Sequence, residues 1–216
     1  MELEKLNANI LSDDSEEIWN TIVESNGSNI VDIVLDNAGY ELYTDLCIAD
    51  FLITNKYASK VRFHAKTIPW FISDVMKKDI SWTLMHLVTS NYPSLKKLSQ
   101  RWSNYFKSKI WTIELHDFWI LPITFAEMTS YDVKLYRKLS EAKLIIFKGD
   151  LNYRKLFGEK NWLPETPIEE GLQGFHPSKL CTLRTLKADI ICGLTEGLAE
   201  ETEAKDSDWL VSGNYG

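Results

Sequence analysis

The sequence predicts an α/β fold, a three-layer α/β/α sandwich around a largely parallel central sheet, and three observations carry that expectation. Short β-branched runs alternate with segments of helical period along most of the chain, the order that βαβ units require. The runs are nearly continuous in apolar residues, which suits strands covered on both faces. With 216 residues, 44% hydrophobic and 25% charged, the composition is that of a soluble globular chain with one buried core, and it excludes disorder and fibrous repeats.

Taken in order, Ile10, Leu11, Ile18, Ile22 and Val23 are spaced for one buried helical face, with Asp14 or Ser15 as cap and an end near Glu24. Asn26-Gly27-Ser28-Asn29 breaks the pattern, so residues 1–28 read as a leading helical segment and residues 29–216 as the α/β domain. Ile30-Val31-Asp32-Ile33-Val34-Leu35 is a strand, Asp36-Asn37-Ala38-Gly39 a polar turn, and residues 40–55 a helix on the spacing of Leu42, Leu46, Ala49 and Leu52. Residues 60–65 repeat the strand and lead into a helix around 81–89. A strand at 110–115 and a helix at 131–141 follow. Leu144-Ile145-Ile146-Phe147 then ends in Lys148-Gly149-Asp150, and the last strand, 180–183, stands directly before Arg184-Thr185-Leu186-Lys187. Residues 196–208 are acidic and read as a solvated helix or loop.

Charge narrows the function classes. The net −7 divides into −9 over residues 1–60, +8 over 61–160 and −6 over 161–216. An acidic total argues against a nucleic-acid binder that works by neutralising phosphates. The basic middle offers one alternative, a stacking surface in which Lys96, Lys97, Arg101, Lys107 and Lys109 interleave with Trp102, Tyr105 and Phe106, although a solvated helix face is the simpler reading. Cys47, Cys181 and Cys192 lack CxxC spacing and read as reduced core thiols. No stretch approaches 18 apolar residues and no secretory leader opens the chain, so the expectation is a cytoplasmic protein without a membrane partner.

In a parallel sheet, ligands bind beyond the carboxyl ends of the strands, where helix N-termini and free side chains face outward. Asp36-Asn37, Asp74, Asp150 and the Arg184–Lys187 pair all fall there. Asp36 beside Asn37 is either a helix cap or an oxygen-rich start to a divalent metal site, with Asp74 as a third oxygen or as the cap of the turn that follows it. Asp150 and Asn152 have the groups to hydrogen-bond substrate hydroxyls, and Arg154 the fork to bind an anion, against a plain capped helix start. Arg184 and Lys187 are useful to a phosphate ligand and are otherwise surface charges. His64, His86, His116 and His176 read as satisfied structural histidines. The absence of HExxH, GxSxG, Walker A and GxGxxG motifs removes the main sequence support for zincins, α/β-hydrolases, P-loop enzymes and simple dinucleotide binders.

Four long motifs in order make the clusters specific. They are Val34-Leu35-Asp36-Asn37-Ala38-Gly39-Tyr40-Glu41-Leu42-Tyr43-Thr44-Asp45-Leu46, His64-Ala65-Lys66-Thr67-Ile68-Pro69-Trp70-Phe71-Ile72-Ser73-Asp74, Lys148-Gly149-Asp150-Leu151-Asn152-Tyr153-Arg154-Lys155-Leu156 and Leu183-Arg184-Thr185-Leu186-Lys187-Ala188-Asp189. Together they resemble the DUF89 family, in the damage-control phosphatase branch with the Arg-Thr-x-Lys signature, also called the acidic residue methyltransferase 1 branch. The resemblance runs from about Ile30 to Trp209.

It implies a Rossmann-like, metal-dependent phosphatase acting on small phosphorylated metabolites, typically fructose 1-phosphate and fructose 6-phosphate, with divalent Mn, Ni or Co. Carried over by position, Asp36, Asn37 and Asp74 match metal ligands, and Asp36 and Asp74 the catalytic carboxylates. Glu41 matches a pocket acid, and Asp150, Leu151, Asn152, Tyr153 and Arg154 match a substrate-binding segment that Asp36 and Asn37 adjoin. Lys187 matches a substrate-binding lysine. An S-adenosylmethionine-dependent protein-glutamate carboxyl methyltransferase is the alternative that the same resemblance carries, and an inactive fragment is a third. Members of the branch have a sizeable helical region before the first motif, where only about thirty residues stand here, so the sequence reads as truncated at its N-terminus and slightly at its C-terminus.

Overall fold

The computed structural model describes residues 7–24 and 29–216. Its five strands form one all-parallel sheet in the order β3-β2-β1-β4-β5: β1 (Ile30–Val34), β2 (Lys60–Ala65), β3 (Trp111–Leu115), β4 (Leu144–Lys148) and β5 (Leu180–Leu183). The chain builds outward from β1 through β2 to β3, then crosses back to place β4 on the other side of β1. The order therefore reverses between β1 and β4, and it is above the carboxyl ends at such a reversal that open parallel sheets place a ligand crevice.

Helices cover both faces. On one lie α1 (Ser15–Val23), α2 (Tyr40–Thr54), α3 (Lys77–Thr89) and α4 (Pro93–Lys107), whose Ile22, Leu42, Leu46, Ile80 and Trp102 meet Val31, Ile33, Val61 and Phe63 of the sheet. On the other lie two 3-10 turns (Asp117–Ile120 and Phe125–Glu127), α5 (Met128–Tyr131), α6 (Val133–Leu139) and α7 (Gly149–Phe157), joined by Phe125, Phe147, Phe157 and Phe175. Two short helices, α8 (Ile168–Gly171) and α9 (Leu198–Lys205), complete the chain. Trp111 is fully buried at the centre of an aromatic group with Phe63, Trp102 and Phe106, the large apolar payload that lets the sheet bury both faces without disulfides.

The α/β expectation holds, and the differences are local. The first helix is shorter than its apolar spacing suggests, leaving Ile10 and Leu11 outside it, and Leu11 N donates instead to Gly216 O at 2.6 Å. Asn26, Gly27 and Ser28 lie outside the described residues. The 131–141 helix is two pieces, because the Asp132 carboxylate accepts from Lys134 N and Leu135 N, both at 2.9 Å, and so starts a new helix where the periodicity runs on. The basic stacking surface does not form: Trp102 is buried, Tyr105 and Phe106 pack against the core, and Arg101 turns to Asp50.

One polar network interrupts the sheet's second face. Arg62 grips Asp32 with two bonds of 2.6 and 2.8 Å and reaches Glu141 at 2.7 Å and Lys138 O at 2.6 Å. His64 Nε2 stands 3.4 Å from Asp32 without hydrogen-bond alignment, so this histidine is buried but not satisfied, contrary to the sequence expectation. Burial works to raise the Asp32 carboxyl, and His64 and Arg62 overcome it and hold it below the usual carboxylate range. Arg62→Ala strands the Asp32 charge in the interior. Urea unfolding should show a loss of about 3–5 kcal/mol, and a loss under about 1 kcal/mol would contradict this account.

Candidate active site

The crevice between β1 and β4 collects the polar residues. Beyond β1 the chain does not turn at once into α2. Residues 36–38 run alongside residues 73–75, with Ala38 N donating to Ser73 O at 2.7 Å and Val75 N to Asp36 O at 2.9 Å, so that Asn37 and Asp74 face one another as an isolated antiparallel bridge. Residues 37 positions apart in the chain thereby become neighbours. Neither Asp36 nor Asn37 caps α2, whose N-cap is Gly39 without a side-chain bond, and Asp74 does not cap α3, which starts after Met76. These polar side chains have no capping duty.

Asp74 is instead held from three sides. Its Oδ1 accepts from Lys66 Nζ at 2.7 Å, and its Oδ2 from Trp70 N at 2.8 Å and Phe71 N at 2.7 Å, with Asp74 2% and Lys66 4% exposed. Asn37 uses its amide nitrogen on Asp36 Oδ2 at 2.7 Å and Glu41 Oε2 at 2.9 Å, and its oxygen accepts from Ser73 Oγ at 2.6 Å. Among the described residues, no ammonium lies within hydrogen-bonding distance of Asp36. Burial pushes its pKa up to about 6; Lys66 and Lys148 pull it down, while Glu41 and Asp74 push it further up.

Gly149, where β4 passes into α7, explains how the crevice closes. With φ at +82°, a β-carbon there would lie 1.9 Å from Asp36 Oδ2, so the backbone of β4 can approach the carboxylate only without a side chain. Next to it Lys148 Nζ bridges two acids of α2, Asp45 Oδ1 at 2.8 Å and Glu41 Oε1 at 3.2 Å. Burial raises the Asp45 pKa to about 6 against the pull of Lys148, the Glu41 charge adds to the rise, and among the described residues Asp45 Oδ2 has no hydrogen-bond partner. Burial lowers Lys148, but the two acids overcome it and hold its pKa above the ordinary lysine value.

Asp36, Asn37, Glu41 and Asp74 are thus brought together. The segment after β4 divides differently. Asn152 donates to Lys148 O at 2.8 Å and Leu35 O at 3.3 Å, tying α7 to the end of β1, and Leu151 and Tyr153 are buried. Asp150 accepts from Arg184 at 2.8 Å, and Arg154 pairs with Glu159 at 2.5 Å at the far end of α7. Lys187 is exposed beyond β5, on the same sheet edge. Sequence reasoning did not single out Lys66, Asp45, Lys148 or the buried Lys155, whose ammonium lies 4.8 Å over the Trp70 ring. A signal existed for Asp45: it follows Glu41 by four residues, which puts both acids on one face of α2.

Two predictions follow from this geometry. Gly149→Ala forces Asp36 aside and strains the backbone, a cost of at least about 1–3 kcal/mol in thermal or urea unfolding, and unchanged stability would contradict the close approach. For Asp45, the folded chain holds a proton between the ordinary value of 3.8 and about 6 that the unfolded chain releases, so this group's stabilising share is full below pH 4 and is lost as pH rises to 6. Asp45→Asn should remove about 1–3 kcal/mol of that pH-dependent loss, read as a shallower stability profile from pH 4 to 6 than in the parent.

Comparison with known proteins identifies the family. Residues 2–202 match the model of the damage-control phosphatase ARMT1-like domain. The chain is 46% identical over 213 residues to damage-control phosphatase ARMT1 of Danio rerio, covering 95% of this chain and 48% of that protein. It is 43% identical to the Mus musculus protein of that name and 42% identical to the Homo sapiens one, each over 220 residues, 99% of this chain and 50% of the relative. The chain spans about half the length of these relatives. With a family match over most of its residues and Asp36, Asn37 and Asp74 gathered at the sheet's reversal point, the chain belongs to the damage-control phosphatase ARMT1-like family.

Proposed function

We propose that this chain carries a divalent-metal-dependent phosphatase centre for small phosphorylated metabolites, sugar phosphates such as fructose 1-phosphate and fructose 6-phosphate being the substrates to test first. The observation that carries the reading is an excess of buried negative charge on hard oxygen donors. Four carboxylates, Asp36, Glu41, Asp45 and Asp74, surround two ammonium groups, Lys66 and Lys148, which leaves two negative charges uncompensated when all are ionised. A divalent cation supplies that compensation; oxygen-only donors suit Mn bound beside water, and Ni and Co are the further ions that the family resemblance implies. Among the described residues no three His, Cys, Asp or Glu side chains form a ready cage. The donor set here is two carboxylates and an amide, Asp36, Asn37 and Asp74, which fits a site that keeps positions open for water and substrate.

When bound, the ion supplies Lewis-acid polarisation of a phosphoryl oxygen and a more acidic water. The chain's own groups do the rest. Asp36 and Asp74 hold their oxygens in place through backbone bonds made by residues 36–38 with 73–75, so little reorganisation accompanies reaction. Lys187, exposed and on the same edge, neutralises the phosphoryl charge. Exposed Tyr40, Ile68 and Phe71 give the rim an apolar surface against which the carbon skeleton of a sugar can lie. Asp36 is the carboxylate best placed to orient or deprotonate water, being the one of the four without an ion-pair partner among the described residues.

The test is phosphate release from fructose 1-phosphate with and without Mn²⁺. Asp36→Ala and Asp74→Ala should each lower the metal-stimulated rate by at least about 100-fold, and chelation should do the same to the parent. Equal rates in the parent and both variants would sink the proposal.

A further inference from the structure

Resting on the phosphatase reading, we propose that Arg184 is a positioning residue that sets where Lys187 meets the phosphoryl group. The guanidinium lies on the right edge of the sheet to bind an anion directly, yet its geometry points elsewhere. Its Nε donates to Asp150 Oδ1 at 2.8 Å, Nη1 to Ile190 O at 2.5 Å and Nη2 to Ala188 O at 3.0 Å. One face is covered by the Tyr153 ring, 4.0 Å from the central carbon, and the side chain is 4% exposed. A planar fork with its edge and face engaged in this way is committed to the protein, and its charge is balanced by Asp150.

What it grips is the loop that carries Lys187. Ala188 and Ile190 are held by Arg184 after that lysine. Before it, Leu186 is buried, donates to Tyr215 O at 2.8 Å and accepts from Gly213 N at 3.0 Å. Further on, the Tyr153 hydroxyl accepts from Cys192 N at 3.1 Å. Lys187 is therefore an exposed residue between two fixed neighbours, its backbone set and only its side chain free. The clamp also reaches the crevice, because Asp150 directly follows Gly149, whose backbone abuts Asp36. A single rigid path thus runs from the Asp36 carboxylate through the start of α7 and Arg184 to the lysine loop, which fixes the distance between the two ends of the site.

The experiment is a double-mutant cycle on the full chain, read as calorimetric titration with inorganic phosphate at fixed Mn²⁺. Arg184→Lys keeps the charge but loses the fork, and Lys187→Ala loses the anion contact; each should weaken phosphate binding by about tenfold or more. If Arg184 acts through Lys187, the double variant binds within about twofold of Lys187→Ala alone. Parent-like binding by Arg184→Lys, or losses that multiply in the double variant, would overturn the proposal, since a merely structural clamp adds its effect independently of Lys187. Should Arg184→Lys fail to fold, Asp150→Ala removes one of the three acceptors and takes its place in the same cycle, with the same non-multiplying result expected. No phosphate binding by the parent overturns the phosphatase reading itself, and the positioning role with it.

Discussion

A buried ion pair, Lys66 with Asp74, underlies the architecture of the crevice. The loop after β2 contains Ile68, Trp70, Phe71 and Ile72, all substantially exposed, and such a loop has little apolar burial to hold it in one shape. Asp74 supplies the missing order by accepting from Lys66 and from two backbone N–H groups of the loop itself. Partners on both oxygens are what make a deeply buried carboxylate tolerable, where an unpaired one would cost several kcal/mol. With the loop fixed, residues 73–75 present a straight edge to residues 36–38, and the ends of β1 and β2 become one surface.

The electrostatic design is layered around that edge. Asp32 and Arg62 neutralise one another deep under the sheet, and Arg62 also reaches the exposed Glu141. Closer to the crevice, Lys66 and Lys148 hold three of the four acids, while Asp36 has an amide as its neighbour and no cation. Charge is therefore balanced where the fold needs stability and left unbalanced where a ligand is to arrive. Asp36 and Asp45 both titrate near 6 for the same reason, burial that the available lysines do not fully offset.

Much of this was legible in the sequence, because parallel strands buried on both faces announce themselves as short apolar runs and polar residues at their carboxyl ends stand out. Asp36, Asn37, Glu41 and Asp74 were found that way and by family resemblance, and the structure brings them together. What sequence could not show is how each polar group spends its bonds. Asn152 and Asp150 sit in one motif and read as equals, yet one ties backbone to backbone and the other anchors an arginine. Lys66 and Lys148 do not stand out because nothing local reveals that acids more distant in the chain fold against them. Capping was the wrong guide to residues 36–37 for the same reason: it assumes that the helix begins at the turn, whereas a bridge to residue 74 intervenes.

Asn152 has one more consequence, in the order of assembly. Its bonds to the end of β1 join residues 118 positions apart, across β2, β3 and their helices. Pairings this remote close large chain loops, so their entropic cost is offset only when the whole sheet is present. A ligand in the crevice between β1 and β4 therefore binds a feature of the completed topology, and its binding free energy stabilises the completed topology alone.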